Sequence, residues 1–282
     1  MSTRLRKRQL LNGKTFILLG LIGFSLVWLL PFATVALTAL RSEGDMYANG
    51  VFSIPKVIRW ENLTKAWGVG DFPTYFKNSL LLILLKVPLG ILVAALAAYP
   101  LAKMSFRGNS ALFIFFLVGL AVPIQVTLLP LVGMMRDLGL SGSVYALIPP
   151  YIAFGLPLQI LVLRGFFKLI PGEILEAARI DGASEFTIFR RIMLPLSVPA
   201  LAALFILDSL STWNEFLMAL VLTSAKAART VPLGLLAFQG EHNTQYTLLM
   251  AGVAISILPV LIIFVFLQRY FVTGLTAGAV KG

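Results

Sequence analysis

The sequence contains no cysteine and a single histidine, His242, among its 282 residues. Without cysteine there is no disulfide, no iron–sulfur cluster and no thiolate zinc site. One histidine cannot supply a multi-histidine metal site within the chain. Charged residues are also scarce at 12%, whereas ordinary soluble domains carry about 25%. These shortages exclude a soluble enzyme, a disordered protein and a secreted disulfide scaffold.

Long apolar runs take the place of the missing charge, with 59% hydrophobic residues and a mean hydropathy of +0.91. A helix needs roughly 20 apolar residues to cross a hydrocarbon core of about 30 Å. Six stretches are long enough, at 16–40, 79–101, 111–133, 144–163, 197–222 and 248–267. An open chain in lipid satisfies its backbone polar groups only as helices. The sequence therefore predicts an all-α membrane protein with six transmembrane helices, several of them kinked by proline.

The distribution of basic residues predicts how these helices are oriented. Six spans put both termini on one side, and fourteen of the 23 Lys and Arg residues fall on that side, against eight on the other. The positive-inside rule then places both termini in the cytoplasm. We expect a basic cytoplasmic N-terminus at 1–15, a six-helix domain at 16–270 and a cytoplasmic tail at 271–282. The net charge of +11 is thus assigned to orientation and lipid headgroups, and not to nucleic acid.

The longest cytoplasmic loop, 164–196, has a pattern of its own. It predicts helices at 174–180 and 184–193, broken by Asp181-Gly182 and stopped by Leu194-Pro195. The second helix has an apolar face formed by Phe186, Phe189, Ile192 and Met193. Small residues around the break let another backbone approach closely: Ala177, Ala178, Gly182 and Ala183. From the residues alone, docking of a partner and packing on the chain's own spans explain this hairpin equally well.

The same loop resembles a known family. Glu176-Ala177-Ala178, then Gly182 after three residues and Ile192-x-Leu194-Pro195 after nine more, is similar to the EAA loop of ABC importer permeases. The sequence around it looks like the carbohydrate branch, as does Trp213-Asn214-Glu215-Phe216. The tail 271–282 is similar to that of the smaller of the two permeases in maltose-type sugar importers. The resemblance covers almost the whole chain.

The resemblance implies a type I ABC importer permease fold and a subunit of an ATP-driven sugar importer in a bacterial or archaeal cytoplasmic membrane. It implies three partners besides membrane lipid: a second homologous permease, a dimeric ABC ATPase and an extracytoplasmic sugar-binding protein. ATP and Mg²⁺ would sit on the ATPase, so the chain would need no cofactor and would catalyse no reaction. In the family the EAA loop docks on the ATPase, which implies a coupling role for Glu176, Ala177, Ala178, Asp181, Gly182, Ala183, Ile192, Leu194 and Pro195.

The chain lacks its own nucleotide site. A phosphate-binding loop has the pattern G-x-x-x-x-G-K-[ST], and here Gly13-Lys14-Thr15 supplies only its end, because residue 8 is Arg8. Energy must therefore enter from another chain, through the loop 164–196.

Polar residues inside the spans mark a candidate substrate path. Charges in mid-membrane are costly, so we expect Lys86 and Asp208 to pair or to line this path. Aromatic, amide and carboxylate groups that suit sugars are supplied by Gln159, Trp213, Asn214 and Glu215.

The outer loop 223–247 corresponds to one that contacts the binding protein in maltose-type relatives. An ion- or proton-coupled secondary transporter is the alternative, although it would need more buried carboxylates than Asp208. A membrane enzyme or a scaffold without a pathway is less consistent with the sequence.

Overall fold

The computed structural model describes residues 2–240 and 243–279, with side chains over 14–240 and 243–266. These residues form α-helices joined by turns and short 3₁₀ segments. In chain order the helices are α1 (Ser2–Ala39), α2 (Glu43–Asn49), α3 (Glu61–Val69), α4 (Phe72–Lys103), α5 (Asn109–Val118), α6 (Ile124–Asp137), α7 (Ile148–Leu169), α8 (Gly172–Ile180), α9 (Glu185–Ile188), α10 (Leu194–Leu196), α11 (Val198–Asn214), α12 (Leu217–Leu222), α13 (Val231–Gly234) and α14 (Tyr246–Ala279).

The first of two units comprises Met1–Gly70 and Phe238–Ile255. Within its span Lys14–Ala39, the most apolar window has no buried residue, which suits contact with lipid or a partner chain. The end of α1 is fixed by Arg41, whose fully buried guanidinium donates to the carbonyls of Leu37 (3.1 Å) and Gly50 (2.6 Å). Asn62 of α3 donates to the carbonyl of Ala39 (2.9 Å). These bonds hold the loop after α1 against the helix end.

The second unit comprises Asp71–Ala237 and Ser256–Gly282, and α4 packed on α7 is its centre. The buried face of α4 repeats every three or four residues, as a helix requires: Ser79, Leu82, Ile83, Lys86, Val87, Gly90, Ile91, Ala94, Ala95 and Ala98. Several of these side chains are small, and small residues let membrane helices approach closely. Large leucines such as Leu84 and Leu89 point outward instead. One core cluster surrounds Ala94 and Phe167, and another surrounds Leu82 and Leu147.

Within the described part of the chain, four helices are long and apolar enough to cross a membrane, and the number rises to six if each of two bent pairs counts as one span. The third expected span, 111–133, is not one continuous helix. It is broken into α5 with its 3₁₀ extension and α6, which meet at 99°. The break lies at Val122-Pro123, where both residues are extended, because proline has no N–H to donate and disfavours a helical residue before it.

The fifth expected span, 197–222, is also interrupted. It divides into α11 and α12 at Glu215, which has an extended ψ of 125°. The sequence predicted that Leu194-Pro195 stops the preceding helix, and the structure shows that it does not. The helical path of α9 instead continues through a π turn (Phe189–Met193) and α10 to Leu196, and then bends by 74° into α11. Pro195 lies directly after the π turn, the second residue of α10.

Close packing at the first break generates a prediction. A Cβ on Gly119 would lie 2.8 Å from Cγ of Pro157 in α7, so alanine there must displace one of the two segments. We expect Gly119→Ala to destabilise the purified protein by about 1–3 kcal/mol. The measurement is the thermal unfolding midpoint in detergent.

Gly133→Ala is the matched control, because a Cβ at Gly133 of α6 would meet nothing within 4 Å. That variant should unfold at the wild-type temperature or slightly above it, since alanine favours helix. Equal midpoints for both variants would show that the contact between Gly119 and Pro157 is not a tight one.

Candidate functional site

A cavity of about 260 Å³ lies among α4, α6, α7 and α11 in the second unit. Its apolar wall includes Phe154, Leu158 and Leu207. Its polar wall consists of Lys86, Tyr151, Gln159, Asp208, Ser211, Thr212 and Glu215. So many polar groups inside an apolar helix bundle mark this cavity as the candidate site, because such groups are costly in a membrane unless they serve a function.

An ion pair crosses the cavity from α4 to α11. The Lys86 ammonium donates to Oδ1 of Asp208, and the two side chains are only 3% and 9% exposed. The same ammonium lies 3.4 Å from Oγ1 of Thr212. Lys86 is close to the middle of α4, far from either end of that candidate span. The structure thus brings together the two charged residues that the sequence places inside spans.

An amide lies beside this pair without partners of its own. Gln159 is 2% exposed, and neither its Oε1 nor its Nε2 has a hydrogen-bond partner among the described residues. Oδ2 of Asp208 is buried and unpartnered in the same way. A Cβ on Gly155 would lie 3.2 Å from Nε2 of Gln159, 3.6 Å from Nζ of Lys86 and 3.7 Å from Oδ1 of Asp208. All three polar groups therefore converge on the bare backbone of Gly155.

The break after α11 sets the other polar end of the cavity. The Glu215 carboxylate accepts from the backbone N–H groups of Met218 (2.7 Å) and Ala219 (3.1 Å) at the start of α12. It also accepts from the hydroxyl of Tyr151 in α7. Sequence reasoning missed Tyr151, although a phenol just inside an apolar span is a signal that its hydroxyl needs a partner. Glu215 therefore holds the broken helix to α7.

Two residues of the expected substrate path do not line this cavity. Trp213 is 2% exposed, its indole N–H donates to the carbonyl of Ser256 (3.1 Å), and its ring meets Phe76 edge-on at 5.4 Å. Asn214 is exposed and donates to the carbonyl of Leu210 in its own helix (2.9 Å). The packing of Trp213 fixes α11, whereas no contact places the Asn214 amide at the cavity.

The loop of the family motif forms a compact hairpin, residues 172–196. Gly182 turns the chain with φ +80°, a left-handed conformation that glycine adopts without strain. Ser184 caps α9 by accepting from the N–H of Thr187 (3.3 Å). Arg179 donates to Oε1 of Glu185 (2.7 Å), which raises the pKa of the guanidinium, and Tyr99 of α4 donates to Oε2. Polar contacts thus hold the hairpin together and tie it to α4.

The hairpin buries one apolar face and exposes another. Leu175, Ile188, Phe189 and Met193 enter the core, whereas Ile180 is 87% exposed and Phe186 is 65% exposed. The predicted apolar face thus divides: Phe189 and Met193 are buried, whereas Phe186 is exposed, with its ring centre 6.5 Å from that of Phe189. Of the motif residues, Glu176, Ala177, Asp181, Gly182 and Pro195 are exposed, and Ala178, Ala183, Ile192 and Leu194 are partly buried.

Fold and site together define a polytopic helical membrane protein with a polar intramembrane cavity and an exposed hairpin. Residues 86–276 match the family described as binding-protein-dependent transport system inner membrane component. The chain is 37% identical over 263 residues to the arabinooligosaccharides transport system permease protein AraQ of Bacillus subtilis, covering 92% of each. It is 33% identical over 279 residues to the trehalose/maltose transport system permease protein MalG of Thermococcus litoralis, covering 98% and 99%.

A solved bacterial ABC transporter involved in the import of the acidic polysaccharide alginate has the same fold. It superposes with a TM-score of 0.79 at 25% identity, covering 94% of this chain and 98% of that one. The chain therefore belongs to the family of inner membrane components of binding-protein-dependent transport systems, and it is an ABC importer permease. This result confirms the resemblance and decides against an ion- or proton-coupled transporter.

The buried ion pair predicts that replacing one partner destabilises the protein more than exchanging both charges does. Asp208→Asn leaves the Lys86 ammonium unpaired, and breaking one partner of a buried pair costs about 3–5 kcal/mol. We expect a large drop in the thermal unfolding midpoint in detergent. Exchanging both charges, with Lys86→Asp and Asp208→Lys, should recover part of the loss and of transport.

The exposed pair of Arg59 and Glu61, with side chains 46% and 45% exposed, provides the control. Glu61→Gln should leave the unfolding midpoint unchanged, because solvent screens exposed pairs. Asp208→Asn protein that is as stable as Glu61→Gln protein would show that the intramembrane pair contributes nothing to the fold.

Proposed function

We propose that this chain is one of the two permease subunits of a sugar importer, and that the hairpin 172–196 transmits the motion of a partner ATPase to the spans. The observation that carries the proposal is the exposed surface of this hairpin. Ile180 is 87% exposed and Phe186 is 65% exposed, and in the sequence both lie close to the small residues Ala177 and Gly182. Exposed apolar groups of this kind mark protein interfaces.

The chemistry of the hairpin suits a groove in another protein. Ala177 and Gly182 leave the backbone open to close approach, and a Cβ at Gly182 would meet nothing within 4 Å. The carboxylates of Glu176 and Asp181 are exposed and available to basic or amide groups of the partner. That partner, the dimeric ABC ATPase, binds ATP and Mg²⁺, and this chain contributes the hairpin on which the ATPase docks.

The interior contacts of the hairpin support a mechanical role. Leu175, Ile188 and Met193 belong to the same core cluster as Ala94 of α4 and Leu204 of α11. Arg164, at the end of α7, donates to the carbonyl of Leu101 (3.0 Å) and lies 3.8 Å from the ring centre of Phe113. A displacement of the hairpin must therefore move the inner ends of these helices with it.

Orientation follows from charge. We place the hairpin and both termini in the cytoplasm of a bacterial or archaeal cytoplasmic membrane, because the basic residues concentrate on that side. The loop 223–247 then faces outward, where an extracytoplasmic binding protein delivers its sugar. Within that loop, Glu241 and His242 lie outside the described residues. The backbone of the tail is helical to Ala279, and residues 280–282 also lie outside the description.

The turn in the hairpin gives a graded test of coupling. Gly182 has φ +80°, which asparagine tolerates and a β-branched residue does not. We expect Gly182→Val to insert normally but to lose most sugar-dependent ATP hydrolysis, and Gly182→Asn to keep a larger share. The measurement compares ATP hydrolysis of the reconstituted importer with and without liganded binding protein.

Gly133→Val on α6 is the control for size, because that glycine has open space around it and lies outside the hairpin. Its ATP hydrolysis should match the wild type. If Gly182→Val couples as well as Gly133→Val, the hairpin does not transmit the motion.

Reconstitution tests the function as a whole. This chain, its companion permease, the ATPase and the binding protein are assembled in proteoliposomes and supplied with maltose, trehalose and arabinotriose. We expect at least one sugar to be taken up only when ATP and the binding protein are both present. Uptake by this chain alone, or uptake independent of ATP, would falsify the proposal.

A further inference from the structure

The buried amide of Gln159 is the group in the cavity that the fold does not explain. A structural glutamine inside a membrane bundle normally bonds to a neighbouring helix, because an unpaired polar group is costly there. Gln159 is 2% exposed and lines the cavity, yet both of its polar atoms are without protein partners among the described residues. The free Oδ2 of Asp208 lies in the same wall.

We infer that Gln159, Asp208 and Lys86 form a subsite within this chain for one ring of a neutral, hydroxyl-rich ligand. The inference deepens the proposed function, since it assigns a place and a chemical class to the imported molecule. It also implies that this permease contacts the imported molecule itself, and that the companion permease is not the sole subunit to do so. The convergence of the three groups on Gly155 supplies the geometry.

Hydrogen-bond chemistry selects hydroxyl groups. The Gln159 amide offers one acceptor and a pair of donors, and the free Asp208 oxygen only accepts. Hydroxyls on a sugar or polyol both donate and accept, so they match the amide and the carboxylate alike. Phe154, Leu158 and Leu207 form an apolar wall that suits the C–H face of the same ring.

Charge selects against anions. Among the described residues that line the cavity, the charged ones are Lys86, Asp208 and Glu215, one cation and two carboxylates. The Lys86 charge is already committed to Asp208. A uronate ring would bring a further negative charge into a low-dielectric space without an uncommitted cation, and that repulsion is large there.

The size of the cavity limits how much ligand it holds. About 260 Å³ lies just below the roughly 300–1,000 Å³ typical of sites for drug-sized molecules. The space therefore accommodates one ring of an oligosaccharide at a time. Gly155 keeps the space open, because a Cβ there would approach all three polar groups to within 3.7 Å.

The test uses the complete importer in nanodiscs and proteoliposomes. Gln159→Met removes the amide at nearly constant length, and Gln125→Met makes the same change at an exposed glutamine of α6. We expect Gln159→Met to lower the rate of sugar uptake about tenfold or more, in complexes that assemble with the ATPase and the companion permease in wild-type amounts. Gln125→Met should transport as the wild type does.

Uptake by Gln159→Met within twofold of the wild type would overturn the subsite. If Gln159→Met fails to assemble, Gly155→Ala decides, because it narrows the same space by one methyl and should also slow uptake about tenfold. Normal uptake by Gly155→Ala would then overturn the inference. A wild-type importer that takes up none of the sugars refutes the proposed function itself, and so the two failures are distinguishable.

A binding measurement on the same complex tests the preference for neutral rings. Maltotriose, arabinotriose and trigalacturonate are compared by equilibrium dialysis against nanodiscs without the binding protein, so that only the membrane site selects. We expect a neutral trisaccharide to bind about tenfold or more tightly than the uronate, and to lose that advantage in Gln159→Met. Equal binding of the uronate would overturn the assignment of charge.

Discussion

The buried ammonium of Lys86 needs a counterion inside the helix bundle, and this requirement constrains how the helices of the second unit pack. Removing an ion from water costs several kcal/mol even after relaxation, so the charge must remain beside its counterion. Asp208 of α11 supplies that counterion. The pair therefore fixes the rotation of α4 and α11 about their axes. It also brings polar groups to one wall, and the cavity is the space that these groups share with α7.

The same helices pack against the hairpin, since Leu175 and Met193 share a core cluster with Ala94 of α4 and Leu204 of α11. Tyr99, on the α4 helix that carries Lys86, donates to Glu185 of the hairpin. On the other side, α11 begins at a 74° bend directly after the hairpin and carries Asp208 ten residues later. Coupling between distant sites requires an element with two arrangements that both sites bias. The bend before α11 is the place in this chain where such a change can be made without breaking the long helix α4.

Hydropathy predicted the apolar spans because length and composition alone decide whether a helix can cross lipid. The turn at Gly182 and the contact of Lys86 with Asp208 also follow from local rules, the first from glycine's backbone freedom and the second from the cost of charge in a membrane. The kink expected from proline is a full break at Val122-Pro123, and the break at Glu215, which no proline marks, was missed. Tertiary contacts lie at both breaks: Gly119 packs on Pro157, and Glu215 is held by Tyr151. The π turn at Phe189–Met193 was also missed, since no periodicity reveals it.

Two proteins with the same fold can bind different substrates, because the fold sets the positions of the helices and the side chains that line the cavity can differ. A relative of the same architecture takes part in importing an acidic polysaccharide. Among the described residues that line the cavity, the one cation, Lys86, is bound to Asp208, and the remaining carboxylate, Glu215, is committed to Tyr151 and two backbone amides. An anion would have to compete with Asp208 for Lys86, whereas a hydroxyl needs only the oxygen and the amide that these contacts leave unused. Under the subsite that we propose, the electrostatics of this wall favour a neutral ring over an acidic one.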